Sequence, residues 1–298
     1  MRAKKKYIRN RLNNLQGNTY SNSEWFFIKL SLMLITLPVL LYILYSRDFT
    51  LPYHQNLCSI IDCSFLAINS IKLVIAVLLL LCFTLYVFEI KMLITTFTLS
   101  AISILIFSYE EAIGFKGENG LISLSFFAQF FAYLFFQLKL NNNLSFNRVQ
   151  FPVQVVAAGY VLSGISKLYN SGVDWFTSDA QNFSVILLRQ MHSNYATTGN
   201  IEDYFKGWQM AGWVINNILL IKILLALSLM LELFTFIVLK NKKIAFYYAL
   251  MLICMHIGIY FAMDIILPTI IAPMVIFFIN PLFLFYKKFK NIQLLFFG

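Results

Sequence analysis

With 298 residues, 60% of them hydrophobic and only 12% charged, the chain inverts the balance of a water-soluble domain, in which about a quarter of residues are charged. That is too little charge to cover an aqueous surface. The formal net charge of +10 does not point to nucleic acid, because the basic residues gather in the short joints between apolar runs, where a bilayer partner explains them.

A hydrocarbon core of about 30 Å takes roughly 20 apolar residues per helix. Runs of that kind recur along the sequence and predict an all-α, polytopic transmembrane helix bundle of about eight spans, forming one transmembrane domain over residues 1–298. The spans are expected near 26–45, 71–89, 92–108, 121–138, 148–168, 210–239, 244–263 and 265–285. The basic N-terminus and the apolar run behind it mimic a secretory signal. That run is too long for one, and no small-residue cleavage site follows, so it is read as the first span.

The first outer loop, 46–70, carries Pro52, His54, Cys58 and Cys63. The cysteine spacing is not C-x-x-C, which speaks against thiol redox catalysis; a disulfide in an oxidising compartment and two free thiols both remain open. The third span is barely long enough to cross. The sixth is longer than a straight crossing needs, which predicts tilt or an interfacial entry near Trp208 to Trp213. Before it, the outer loop 169–209 contains the apolar stretch 183–191. This stretch is too short to cross and is expected to be a re-entrant or surface-lying helix. Pro268, Pro273 and Pro281 predict a kinked last span.

Charge orients these spans. The segments read as cytoplasmic hold Arg2, Lys4, Lys5, Lys6, Arg9, Arg11, Lys91, Lys139, Arg148, Lys240, Lys242, Lys243, Lys287, Lys288 and Lys290. The opposite loops hold Arg47, Lys116, Arg189 and Lys206. This asymmetry predicts cytoplasmic N- and C-termini. The acids Asp48, Asp62, Glu110, Glu111, Glu118, Asp174, Asp179, Glu202, Asp203 and Asp264 mirror it on the outer side, although acids carry little topological weight.

Ionisable residues inside spans are costly and each asks for a reason. Lys29 and Lys72 lie near span ends and are expected to snorkel to the headgroups. Lys222 and Glu232 share the sixth span, about 80° apart around the helix. They are not expected to pair, and Glu232 is expected to meet a basic loop residue. On the fifth span, Tyr160, Ser163 and Lys167 form a polar stripe, with Gly164 allowing close approach of a helix or ligand. A lysine desolvated at such a place gives up its proton more readily, which is how buried lysines become bases; a helix-end lysine that merely snorkels is the structural alternative. His256 lies midway along the seventh span, with Asp264 about 80° further round. It is read either as a proton carrier or as a hydrogen-bonded helix contact. His54, His192 and His256 have no metal-ligand spacing, so no metal site is expected. Phosphate-loop, dinucleotide and G-x-S-x-G signatures are not found.

The segment Tyr160-Val-Leu-Ser-Gly-Ile-Ser-Lys-Leu168, followed by Gly172-Val-Asp-Trp175, resembles a signature of the HTTM (horizontally transferred transmembrane), or vitamin K-dependent gamma-carboxylase-like, family. Met255-His-Ile-Gly-Ile-Tyr-Phe-Ala-Met263 is similar to a late helix of that family. In the animal carboxylase the lysine preceding that leucine is the base that deprotonates vitamin K hydroquinone. The resemblance therefore implies catalytic roles for Lys167, Tyr160 and Ser163, substrate contacts from Gly164, Trp175 and His256, and a quinol (vitamin K-like) cofactor. The gap from Leu168 to Trp175 is longer than in the animal enzyme, Ser178 stands where that enzyme has glycine, and the large extramembrane substrate domain is missing.

The resulting expectation is a membrane enzyme of the bacterial inner membrane, using a lysine base on a lipid-soluble quinone or an exported peptide. The alternative is a non-catalytic membrane partner in peptide export, toxin maturation or immunity. A small-solute transporter has less support, because neither inverted halves nor paired broken spans are seen.

Overall fold

The computed structural model describes residues 20–46, 56–112, 120–140, 143–177, 179–263 and 268–297. These residues are helical, with no strand among them. The helices are α1 (Asn22–Ser46), α2 (Asn69–Val87), α3 (Met92–Ala112), α4 (Gly120–Gln137), α5 (Leu144–Ser171), α6 (Asp179–Thr198), α7 (Ile201–Asn216), α8 (Ile218–Leu233), α9 (Lys242–Met263), α10 (Pro268–Met274) and α11 (Pro281–Phe297). Among the described residues six helices are long and apolar enough to cross a membrane, and the number rises to eight if each of two bent pairs counts as one span. His54, Pro52, Ser178, Asp264 and the basic N-terminal residues lie outside the described residues.

The helices sort into two compact units, one of residues 1–156, 239–242 and 269–298, the other of 157–238 and 243–268. In the first unit, α1 buries Trp25, Ile28, Leu32, Leu40, Ile43 and Leu44. Helices α3 and α4 face each other through small polar residues. Ser100 Oγ donates to the Ser123 carbonyl at 3.2 Å, and Ser103 and Ser125 bond back to their own helices. Small side chains of this kind let helix backbones approach where lipid offers no hydrophobic drive for association.

The loop after α1 has structure of its own. Cys58 and Cys63 are joined as a disulfide, which decides between the two states open from sequence. The bridge packs with Leu66 against Leu44, Ala76 and Tyr109. Asp62 caps the short 3-10 helix Cys63–Ala67 by accepting from the Ser64 amide at 2.9 Å.

Lys29 overturns the snorkelling expectation. It is 1% exposed, and its ammonium donates to the Val87 carbonyl at 2.5 Å and to Glu89 Oε1 at 3.0 Å. The Val87 carbonyl is free to accept because α2 ends there. Glu89, in the tight turn to α3, adopts a left-handed backbone with φ 60°, a conformation that costs a non-glycine residue energy and that here accompanies its bonds to the buried cations.

The last predicted span is indeed kinked. A π-helical turn at Val275–Ile279 and a left-handed Asn280 (φ 52°) separate α10 from α11, and the two sides meet at 41°. Asn280 Nδ2 donates to the Glu24 carbonyl at 2.9 Å, while Pro281 opens α11 at the position where a missing amide costs nothing.

In the second unit, the predicted outer loop 169–209 is largely helical. The stretch 183–191 is the middle of a 20-residue helix, α6, which packs as a hairpin against α7. Gly199 turns the chain at φ 70° and Asn200 caps α7 by accepting from the Glu202 amide. His192 and Tyr204 stack with their centroids 5.0 Å apart. At Gly207 a Cβ would stand 2.7 Å from Met191 Cβ, so glycine sets how closely the two helices approach.

The predicted sixth span, 210–239, is not one straight helix. It breaks at Asn217 with a bend of 92° between α7 and α8. Both the backbone amide and the Nδ2 of Asn217 donate to the Trp213 carbonyl, at 3.0 and 2.8 Å. The asparagine thus satisfies a group that the break exposes. Trp208 and Trp213 are about half exposed on α7.

Candidate functional site

The site grows from the C-terminal half of α5. Helical spacing places Tyr160, Ser163, Gly164 and Lys167 on one face, and within this unit that face meets the end of α8, the middle of α9 and the 3-10 turn Gly172–Phe176.

Gly164 allows the approach of α8. A Cβ there would stand 3.0 Å from the Leu233 side chain and 3.3 Å from Glu232 Cβ. With the helices this close, Lys167 Nζ reaches both oxygens of Glu232, at 2.5 and 2.6 Å. Ser163 Oγ donates to Glu232 Oε2 at 3.4 Å. The Glu232 side chain is 6% exposed and that of Lys167 25%. The pair is therefore sunk at its acidic end and open at its basic end.

Trp175 covers the lysine. Its ring centroid is 5.1 Å from Lys167 Nζ, within cation–π range, and its indole Nε1 is buried without a hydrogen-bond partner. One helical turn below Ser163, Tyr160 Oη and His256 Nε2 are 2.9 Å apart. The rings are tilted at 60°, and His256 Nδ1 is buried without a partner. The residue is 6% exposed.

Lys167 and the five residues singled out with it thus lie in the same region, with contacts divided differently from expectation. Ser163 touches Glu232, and Tyr160 is bonded to His256; the contact that Lys167 makes directly is with Glu232. That acid was expected to meet a basic loop residue and instead meets Lys167. The signal was present in the sequence: an acid buried in an apolar run requires a cation, and few lysines lie within spans. It was hidden because the partner lies 65 positions away on another helix. Asp264, noted in the sequence beyond His256, lies outside the described residues.

Chemically, the arrangement offers a primary amine and a carboxylate that can exchange a proton, an aromatic lid over the amine, and an imidazole–phenol pair a turn away. It has the parts of a proton-transfer site and equally those of an interhelical clamp. Compared with known proteins, the chain matches no family model, no curated protein and no solved structure. What composition and fold define is the class: a helical, multi-pass integral membrane protein.

Proposed function

We propose that this chain is a membrane enzyme resembling the transmembrane part of the gamma-carboxylase-like HTTM family, with Lys167 as general base on a quinol-like or peptide substrate. The observation that carries the reading is the amine of Lys167 gripped by both oxygens of buried Glu232 under the Trp175 ring. In the reaction class proposed, Lys167 first loses its ammonium proton to water at its exposed end; an acidic O–H of the substrate then breaks, the freed amine lone pair takes the proton, and the bonding electrons stay on the substrate oxygen. Glu232 orients the amine and balances the charge it gains. Tyr160 and His256 position the neighbouring face, and Trp175 limits water access.

With eight spans, counting each bent pair as one, both termini fall on the basic, cytoplasmic side, and the disulfide-bearing loop faces the oxidising side. The bacterial inner membrane fits this arrangement.

The same ion pair favours a second reading, a non-catalytic partner in peptide export, toxin maturation or immunity, in which Lys167 and Glu232 simply clamp α5 to α8. Native mass spectrometry of the chain extracted from its own membrane tests the choice. A quinone or peptide retained by wild type and lost in Lys167→Ala supports the enzyme. A ligand-free chain in both forms supports the clamp. Lys167→Arg keeps a cation beside Glu232 but has no neutral amine to offer, so the enzyme reading requires that turnover vanish in this variant.

A further inference from the structure

The first unit holds a second polar centre, separate from the Lys167 site. Lys29 and Arg148 are both buried where α1 begins, α2 ends and α5 begins. Their shared acid is Glu89, which is 3.0 Å from Lys29 Nζ and 3.5 Å from Arg148 Nη1, and whose side chain is 43% exposed. Arg148 Nη2 reaches Asn22 Oδ1 at 3.3 Å, and the guanidinium lies over the Trp25 ring at 4.9 Å. Two cations against one partly exposed anion leave this cluster net positive among the described side chains.

Its unsatisfied atoms are of one kind. Trp25 Nε1 and Gln129 Nε2 are buried without partners. Both are N–H donors, and the Tyr133 hydroxyl, which accepts from Arg148, still has a proton to donate. Trp25 and Gln129 are wholly buried and Arg148 nearly so. Contacts run from Trp25 to Gln129 and from Tyr133 to Arg148. Trp25 packs edge-on against Tyr86, Tyr86 Oη donates to Gln129 Oε1 at 2.7 Å, and Tyr133, four residues further along α4 from Gln129, lies beside Arg148. Buried donors are almost always paired. Water would serve single donors, but it leaves the excess positive charge unanswered; an oxyanion accepts from several directions and neutralises that charge.

We infer that the Lys29–Arg148 cluster, with the unpaired donors of Trp25 and Gln129 and the hydroxyl of Tyr133, binds a phosphate group. The exposed Lys91 and Lys139 stand in the turns that follow α2 and α4, so this end of the unit also attracts an anionic surface. The phosphate belongs either to an anionic lipid headgroup or to a free ion, and the two sources are separable.

The test uses the full chain, washed free of loosely held lipid in an uncharged maltoside detergent. Gln129→Glu keeps the acceptor for Tyr86 while replacing the orphan donor by a carboxylate, and Tyr133→Phe deletes one hydroxyl without altering shape. The wild type is expected either to retain a phosphate-bearing species in native mass spectrometry or to show saturable thermal stabilisation by short-chain phosphatidylglycerol. Gln129→Glu should lose the adduct or weaken the response by about tenfold or more, with a smaller loss for Tyr133→Phe. Stabilisation by phosphatidylglycerol alone identifies the headgroup; an equal response to inorganic phosphate identifies a free-anion site. The inference is overturned if the wild type neither retains nor responds to either probe, or if both variants behave as the wild type does.

Discussion

Replacing Lys167 by methionine removes the only cation placed on Glu232 among the described residues. Methionine preserves most of the side-chain volume, so the loss is chiefly electrostatic. Glu232 is nearly inaccessible, and stranding a buried charge costs about 3–5 kcal/mol. The reverse change, Glu232→Gln, leaves the partly exposed Lys167 able to reach solvent and should cost about 1–2 kcal/mol. In the double variant, methionine faces a neutral amide and the stranded charge is gone, so the two losses should not add, leaving a coupling of about 2 kcal/mol. Reversible unfolding in mixed micelles of maltoside and dodecyl sulfate measures all four corners of the cycle. A Lys167→Met variant within about 0.5 kcal/mol of wild type, or strictly additive losses, would refute the buried pair. Lys167→Arg retains a charge for Glu232, so it should keep most of the stability. Any loss of turnover in that variant then reports on the amine rather than on folding.

Gly207→Ala and Gly212→Ala form a matched pair on α7. The new Cβ meets Met191 Cβ at 2.7 Å in the first and nothing within 4 Å in the second. The first should destabilise by about 1–3 kcal/mol through overpacking, and the second should stabilise by roughly 0.5–1 kcal/mol through helix propensity; the same unfolding measurement checks both. Tyr160→Phe strands His256 Nε2 beside an already unpaired Nδ1. An expected cost of about 1–2 kcal/mol should fall close to zero when His256 is first changed to leucine. For the disulfide, maleimide labelling of the unfolded chain should modify only Cys82 and Cys254 before reduction and all four cysteines after it. Cys58→Ser with Cys63→Ser should lower stability by about 2 kcal/mol, the loop-closure value for so short a ring.

The amino-acid sequence by itself determined the class of protein and the bounds of most helices. Hydropathy is a local property, and a run of apolar residues needs the same bilayer thickness whatever its neighbours do. The predicted spans near 26–45, 71–89, 121–138 and 244–263 accordingly fall within a few residues of α1, α2, α4 and α9. Helical periodicity likewise grouped Tyr160, Ser163, Gly164 and Lys167 on one face, because positions within two turns of one helix are related by geometry alone.

What only the tertiary structure decided are the partners. Lys167 and Glu232 are 65 positions apart and Tyr160 and His256 are 96 apart, separations over which no local pattern carries information. Lys29 shows the same limit. Its place near a span end predicted snorkelling, yet a carboxylate and a free carbonyl from the next turn offered a buried alternative. The break at Asn217, with its bend of 92°, likewise leaves no trace in average hydropathy. Apolar runs decide where helices form; the few polar groups inside them are matched only when those helices pack, since an unpaired charge there costs more than any local preference can supply.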